Sequence, residues 1–401
     1  MKRYWKLISI IVVVIVTIGT YYVQSAVADN AYPAFGFEHK SGDKEEINDL
    51  TLDANYREGT QGDNPLQITA DETVYHDEQS YFDRLNDFYP TKIKELQEEY
   101  RGFMRGKGAT PSQFYENGSM LIYANVDSTS SGNHAFELEI MQKESSETTA
   151  FKLDVPASDN IQSISIEAIQ VMNHEVKVMT RNFSGMDPTG FNTQEDMHVY
   201  DVDVANQKIT NDEVISPNLE QNNADSANGT IINNATDEDS KAFMLINFDY
   251  MENSQQEDGI SYSEQTGKEI IAFNLETNET EQLDLPAELE NSAHTAVLHD
   301  STIYFSAITD TDVEVSAFSM DSQEIERNIQ MDQLEAEAGQ PHMQIKDNKM
   351  YLVSSHKDND VQAAILVVDL DTGDTLYEGT IEQQGNEQVA YDMDISNVSI
   401  E

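Results

Sequence analysis

A two-part phrase that recurs five times, apolar strands set between Asn, Asp and Gly turns, and helical periodicity confined to one segment predict an all-β fold. The architecture they imply is a β-propeller of six four-stranded blades, or seven if residues 29–75 hold more strands than the pattern reveals. A short helical insertion near the N-terminus interrupts it. The first part of the phrase is a turn followed by an apolar strand, at Asn117–Asn125, Asn173–Arg181, Asp239–Asn247, Asp300–Ile308 and Asp347–Ser355. The second part is a strand, a polar turn and another strand, at Ala135–Pro156, Met197–Pro217, Lys268–Pro286, Val313–Met331 and Ala363–Glu382. A single sheet of this kind has two apolar faces, and stacking like sheets radially buries both while leaving only short edges.

The N-terminus reads as an export segment. Lys2, Arg3 and Lys6 precede the apolar run Leu7–Gly19, which Thr20–Val23 extends to about 17 residues, the low end for a spanning helix. Ala26-Val27-Ala28 is a small-residue cleavage site, so a cleaved signal peptide and an uncleaved anchor with its N-terminus inside both stand for residues 1–28. Either places the remainder outside the cytoplasm. The chain has no Cys, which removes disulfides, thiol nucleophiles and a lipoprotein anchor, and suits the surface of a Gram-positive bacterium.

Residues 29–77 read as a linker with N-terminal strands, of which Glu46–Leu52 and Leu66–Tyr75 are candidates. Residues 78–108 read as the helical insertion. Phe82, Leu85, Tyr89, Ile93, Leu96, Tyr100 and Phe103 recur in steps of three and four, Pro90 divides two helices, and Gly106 and Gly108 end the second. Repeats follow over residues 109–401. The clearest runs from Ala293 to Met331, with strands His294–Leu298, Thr302–Ile308, Val313–Met320 and Glu324–Ile329. Residues 220–240 read as a mobile spacer, 251–267 as a polar insertion and Glu144–Thr149 as a shorter loop tip. Gln388–Ser399 is a strand with nothing after it, and the N-terminal strands are expected to supply its partners and close the ring.

The turn Asp369-Leu370-Asp371-Thr372-Gly373-Asp374 and the segment Asn274–Thr280 resemble, in a general way, the Asp-x-x-Thr-Gly blade turns of quinoprotein-like β-propellers. The resemblance spans roughly residues 110–385 and is of low specificity. The Trp-Asp signature of WD repeats and the Gly-Gly pair of kelch repeats are missing. So are the tryptophans that quinoproteins use between blades, since the only Trp is Trp5.

Charge narrows the partners. The formal net charge is −51, and residues 108–401 carry 56 acidic against 11 basic side chains. That surface repels phosphates, so no nucleic acid is expected, and solubility in high salt explains most of it. Against this background Arg84, Lys92, Lys94, Arg101, Arg105 and Lys107 make residues 78–107 a basic island. Its plain reading is pairing with the protein's own carboxylates. Its functional reading is partner docking through Lys92, Lys94, Arg101, Arg105 and Lys107.

Catalytic signatures do not emerge. The sequence has no phosphate-binding glycine loop, no G-x-S-x-G elbow and no His pair at i, i+4. His294 and His342 fall near the starts of first strands, where a propeller channel would bring them together, though ordinary strand histidines are the commoner case. Asp369–Asp374 and Asp127–Asn133 each miss the spacing of a calcium loop, leaving only weak calcium binding by clustered carboxylates and no other cofactor. The expectation is a non-catalytic, extracytoplasmic interaction module, membrane-anchored or secreted, accessory to a membrane partner such as a transporter or sensor. The alternative is a secreted polysaccharide hydrolase or lyase working through channel carboxylates.

Overall fold

The computed structural model describes residues 32–57, 63–79, 90–128, 133–156, 160–186, 193–232, 242–255, 261–286, 289, 296–308, 312–332, 341–355, 361–384 and 392–400. Residues 1–28, expected to be an export segment, and Arg84 and His294 lie outside these residues. Among the described residues no helix is long and apolar enough to cross a membrane.

In chain order the N-terminal region forms β1 (Ala34–Gly42), β2 (Leu50–Arg57), β3 (Asn64–Ile68) and β4 (Thr73–Tyr75). Two helices follow, α1 (Thr91–Glu99) and α2 (Arg101–Met104). The repeats then run β5 (Phe114–Glu116), β6 (Met120–Ser128), β7 (His134–Gln142) and β8 (Thr148–Asp154). Next come β9 (Ser163–Met172), β10 (Glu175–Met186), β11 (Thr193–Asp203) and β12 (Lys208–Ile215). The middle of the chain gives β13 (Ser226–Ile231), β14 (Phe243–Gln255), β15 (Ser261–Asn274) and β16 (Glu279–Gln282), then β17 (Ala296–His299), β18 (Thr302–Ile308), β19 (Asp312–Ser319) and β20 (Glu324–Asp332). The last strands are β21 (His342–Lys346), β22 (Lys349–Ser355), β23 (Val361–Asp369), β24 (Thr375–Gln384) and β25 (Asp392–Ile400).

These strands make six antiparallel sheets of blade type, as a β-propeller requires. Blade 1 is β25-β2-β3-β4, and blades 2 to 5 are β5–β8, β9–β12, β13–β16 and β17–β20. Blade 6 is β21–β24 with β1 added as a fifth strand. The five apolar strands of the repeated phrase are β6, β10, β14, β18 and β22, each the second strand of its blade.

The chain divides into two compact units. In the unit of Tyr89–Ala307 and Glu314–Gln330, strand alternation sends successive residues to opposite blade faces. Ile122, Phe136 and Leu138 of blade 2 pack on Val176, Val178 and Tyr200 of blade 3. Met179, Met197 and Val199, from the other face of blade 3, meet Met244, Ile246 and Phe248 of blade 4. Leu245, Ile270 and Ala272 in turn meet Leu298, Ile303 and Phe305 of blade 5. In the unit of Met1–Phe88, Ile308–Val313 and Met331–Glu401, Leu50, Leu52, Leu66 and Ile395 of blade 1 pack on Val353, Ile365, Val367 and Tyr377 of blade 6.

The two ends of the chain share blade 1. β25 pairs with β2 from Leu50↔Ile400 to Arg57↔Asp392, with a register shift between Asp53 and Ala54. The C-terminal strand that stood alone in the sequence thus finds its partner near the N-terminus.

Several elements differ from expectation. Glu46–Leu52 is not one strand: Lys44–Ile47 is a turn of 3₁₀ helix capped by Asp43, and β2 starts at Leu50. Leu66–Tyr75 splits into β3 and β4 because Thr69–Glu72 closes a turn on its own backbone and hydroxyl. The proposed spacer 220–240 contains β13, the first strand of blade 4. Pairing with β14 specifies it rather than its own apolarity, and Gly229 leaves room for the Phe248 ring, since a Cβ there would sit 2.8 Å from it. The polar insertion 251–267 is a continuation of the β14–β15 hairpin, paired as far as Gln255↔Ser261.

β1 was not legible as a strand. It docks on β24 from Ala34↔Gln384 to Gly42↔Tyr377. The approach is close enough that a Cβ on Gly379 would lie 2.7 Å from the Glu38 carbonyl oxygen.

Candidate partner-docking surface

The basic segment is helical where it is described. Pro90 stands immediately before the first residue of α1 and has no N–H to leave unsatisfied there. Ile93 and Leu96 of α1 and Phe103 and Met104 of α2 are buried against Phe114, Leu121, Tyr123 and Met141. Those four belong to blade 2 and alternate with the residues that face blade 3, so the helices cap its opposite face.

The cap divides the predicted docking residues. Arg101 and Arg105 are exposed, as is Lys92, while Lys94 is half-buried. Lys92 and Lys94 each interact with another group of the protein. Lys107 is internal: its side chain is 6% exposed, its Nζ lies 2.6 Å from Glu139 Oε2, and it stands 4.0 Å above the Phe103 ring. The pairing reading therefore holds for Lys107, which secures α2 to blade 2. Lys143 does similar service with Glu116 at 2.7 Å and with the Tyr100 ring. Burial, reinforced by the hydrogen bond to Glu99, raises the Tyr100 hydroxyl to a pKa of about 12.

Away from the cap, two polar networks stand out. Lys177 of β10 and Asp201 of β11 are each 3% exposed and pair at 2.6 Å. Asn278, in the β15–β16 turn, completes the set: its Oδ1 accepts from Lys177 at 2.9 Å and its Nδ2 donates to Asp201 at 2.6 Å. Blade 3 is thereby tied to blade 4 through charges whose hydrogen bonds are satisfied. The signal was hidden in sequence because the pair spans 24 residues and the Asn 101.

A second network runs from Thr180 through Asn182 to the Tyr200 hydroxyl, with His198 stacked on the Tyr200 ring and Asp212 2.7 Å from His198 Nδ1. Burial pushes the Tyr200 hydroxyl well above the ordinary tyrosine range. Tyr250 is raised likewise, by burial and by its hydrogen bond to Glu269. Glu269 lines a surface recess of about 230 Å³ together with Asn222, Lys268, Gln282 and Asp284. Burial similarly raises Tyr123, Tyr351 and Tyr377. His342 is a structural histidine, its Nε2–H donating to the Ile395 carbonyl at 2.9 Å. Among the described residues no group of three or more His, Asp and Glu side chains is placed to hold a metal ion.

No protein-family model matches this chain, and no curated relative matches it. Solved structures do overlap it, at low identity. A Synechocystis ACO mutant aligns with a TM-score of 0.44 at 7% identity, covering 92% of this chain and 97% of that one. The polysaccharide lyase Uly1 gives 0.36 at 11%, covering 67% and 56%, and the Dos1 propeller gives 0.30 at 12%, covering 69% and 63%.

Proposed function

We propose that this protein is an extracytoplasmic β-propeller that binds a partner without catalysing a reaction. It is either held to the membrane by its N-terminal segment or released beside it, and its partner is a membrane protein such as a transporter or sensor. The observation that carries the reading is the seated helical cap. On a chain of net charge −51, α1 and α2 are fixed to blade 2 by four buried apolar side chains while Arg101 and Arg105 remain at the surface. A fixed basic site on an acidic protein favours an acidic patch on a partner.

The chemistry of the perturbed groups supports the same reading. Acid–base catalysts are tuned toward the working pH, whereas burial drives Tyr123, Tyr200, Tyr250, Tyr351 and Tyr377 away from it. Glu269 and Asp212 are held as acceptors by Tyr250 and His198.

Charge reversal tests the proposal. Arg101→Glu with Arg105→Glu should reduce recovery of the partner by roughly tenfold or more in crosslinking from native membranes, with the melting temperature unchanged. Undiminished recovery would remove the helical cap as the docking site. Lys107 is left intact in this variant because its loss would unseat α2.

A further inference from the structure

Blade 6 has two unlike ends, and its registers place them. At one end lie the tight turns, marked by Lys346↔Lys349, by Asp369–Asp374 between β23 and β24, and by Gly42↔Tyr377. At the other lie Ala34↔Gln384, His342↔Val353 and Ser355↔Ala363.

β1 enters at this second end, and its entry is fixed. Tyr32 stacks on Tyr75 at 4.7 Å and meets Tyr56 edge-on at 6.0 Å. The Tyr75 hydroxyl donates to the Pro33 carbonyl at 2.7 Å. The Phe35 N–H donates to Thr73 Oγ1, which donates back to the Phe35 carbonyl. From Tyr32 onward the chain is therefore bound to both blade 1 and blade 6.

In the sequence, Gln24–Ala31 separates this fixed point from the apolar run that ends at Val23. The nine residue steps from Val23 to Tyr32 reach at most about 32 Å when fully extended. From Thr375 to Gln384, the two ends of β24, nine residue steps cover about 30 Å. The tether is thus about as long as the blade edge it serves.

We infer that the Ala34–Gln384 end of blade 6 is the membrane-facing surface of its unit, and that the tight-turn end is turned outward. The inference rests on the anchored form of the function proposed above. The lipid surface is the partner of the first end because the chain leaves there on a short tether.

The absence of Cys makes a clean experiment available. Gln384→Cys and Thr375→Cys, both at exposed positions, are made singly in the full chain and labelled with a donor fluorophore. The protein is reconstituted into phosphatidylcholine vesicles carrying a head-group acceptor, and melting temperatures confirm that both variants fold as the parent does. Energy transfer should be stronger from position 384, by the difference that a separation of about 30 Å makes. Equal or reversed transfer in protein that floats with the vesicles would overturn the orientation and leave the anchor standing. Protein that does not float would overturn the anchored reading, and the orientation with it.

Discussion

Lys177 shows how a residue can be decisive without being conspicuous. It lies between Val176 and Val178, where alternation turns it toward blade 4 and away from water. Its charge is tolerated because Asp201 and Asn278 satisfy it within 2.6 and 2.9 Å. Asp201→Ala would leave the ammonium buried and alone, and should lower stability by roughly 3–5 kcal/mol in urea unfolding. Replacing the pair together, with Lys177→Met and Asp201→Leu, should restore most of that loss, because no uncompensated charge remains. Loss in the double variant as large as in the single one would show that the pair does more than neutralise itself. For the expected docking cations, the sequence marked a basic segment but not which of its side chains are buried. Arg101, Arg105 and Lys107 look alike in sequence, and only the packing of α2 on Phe114 and Tyr123 places Lys107 inside.

Legibility at the scale of elements follows burial. The second and third strands of blade 6 read clearly because both of their faces are covered, which demands continuous apolar runs such as Met350–Val353 and Ala363–Val368. First strands were harder to see. β5 has three residues, and β13 is Ser-Ala-Asn-Gly-Thr-Ile, so each is specified by its partner's edge. β1 was missed for the same reason: four-stranded blade 6 is complete without it, and docking depends on a close approach at Gly379 on β24. Gly379→Val should therefore detach β1 and also press on the buried Tyr377 ring, whose hydroxyl lies within reach of an added Cβ. The amides of Ala34–Gly42 should lose protection in hydrogen exchange while β22 and β23 keep theirs, at a cost of about 1–3 kcal/mol. Protection of β1 equal to that of the parent would show that the strand tolerates the added side chain.

For the whole molecule, the sequence determined the class and the number of blades through repetition, and it hinted at the pairing of the ends through one unpartnered strand. It left the five-stranded form of blade 6 and the tie between blades 3 and 4 unseen, because each joins segments far apart in the chain. Pairing of the ends is the most consequential feature. Without β25, Leu50, Leu52 and Tyr56 lose a neighbouring strand in blade 1, and with them goes the support for Tyr75 and the fixed entry of β1.

The most direct test of that pairing is an engineered disulfide across it. Asn55 and Asp394 are opposite each other in the β2–β25 register, beyond the shift at Asp53, and the chain carries no other thiol. In an antiparallel pair their Cα atoms lie within about 4.5–5.5 Å, inside the range a disulfide bridges. Asn55→Cys with Asp394→Cys should oxidise to an intramolecular bond in the folded protein, seen as two lost thiols and a faster-migrating band without reductant. Two thiols that stay free in the folded chain under the same oxidant would contradict the joining of the ends in blade 1.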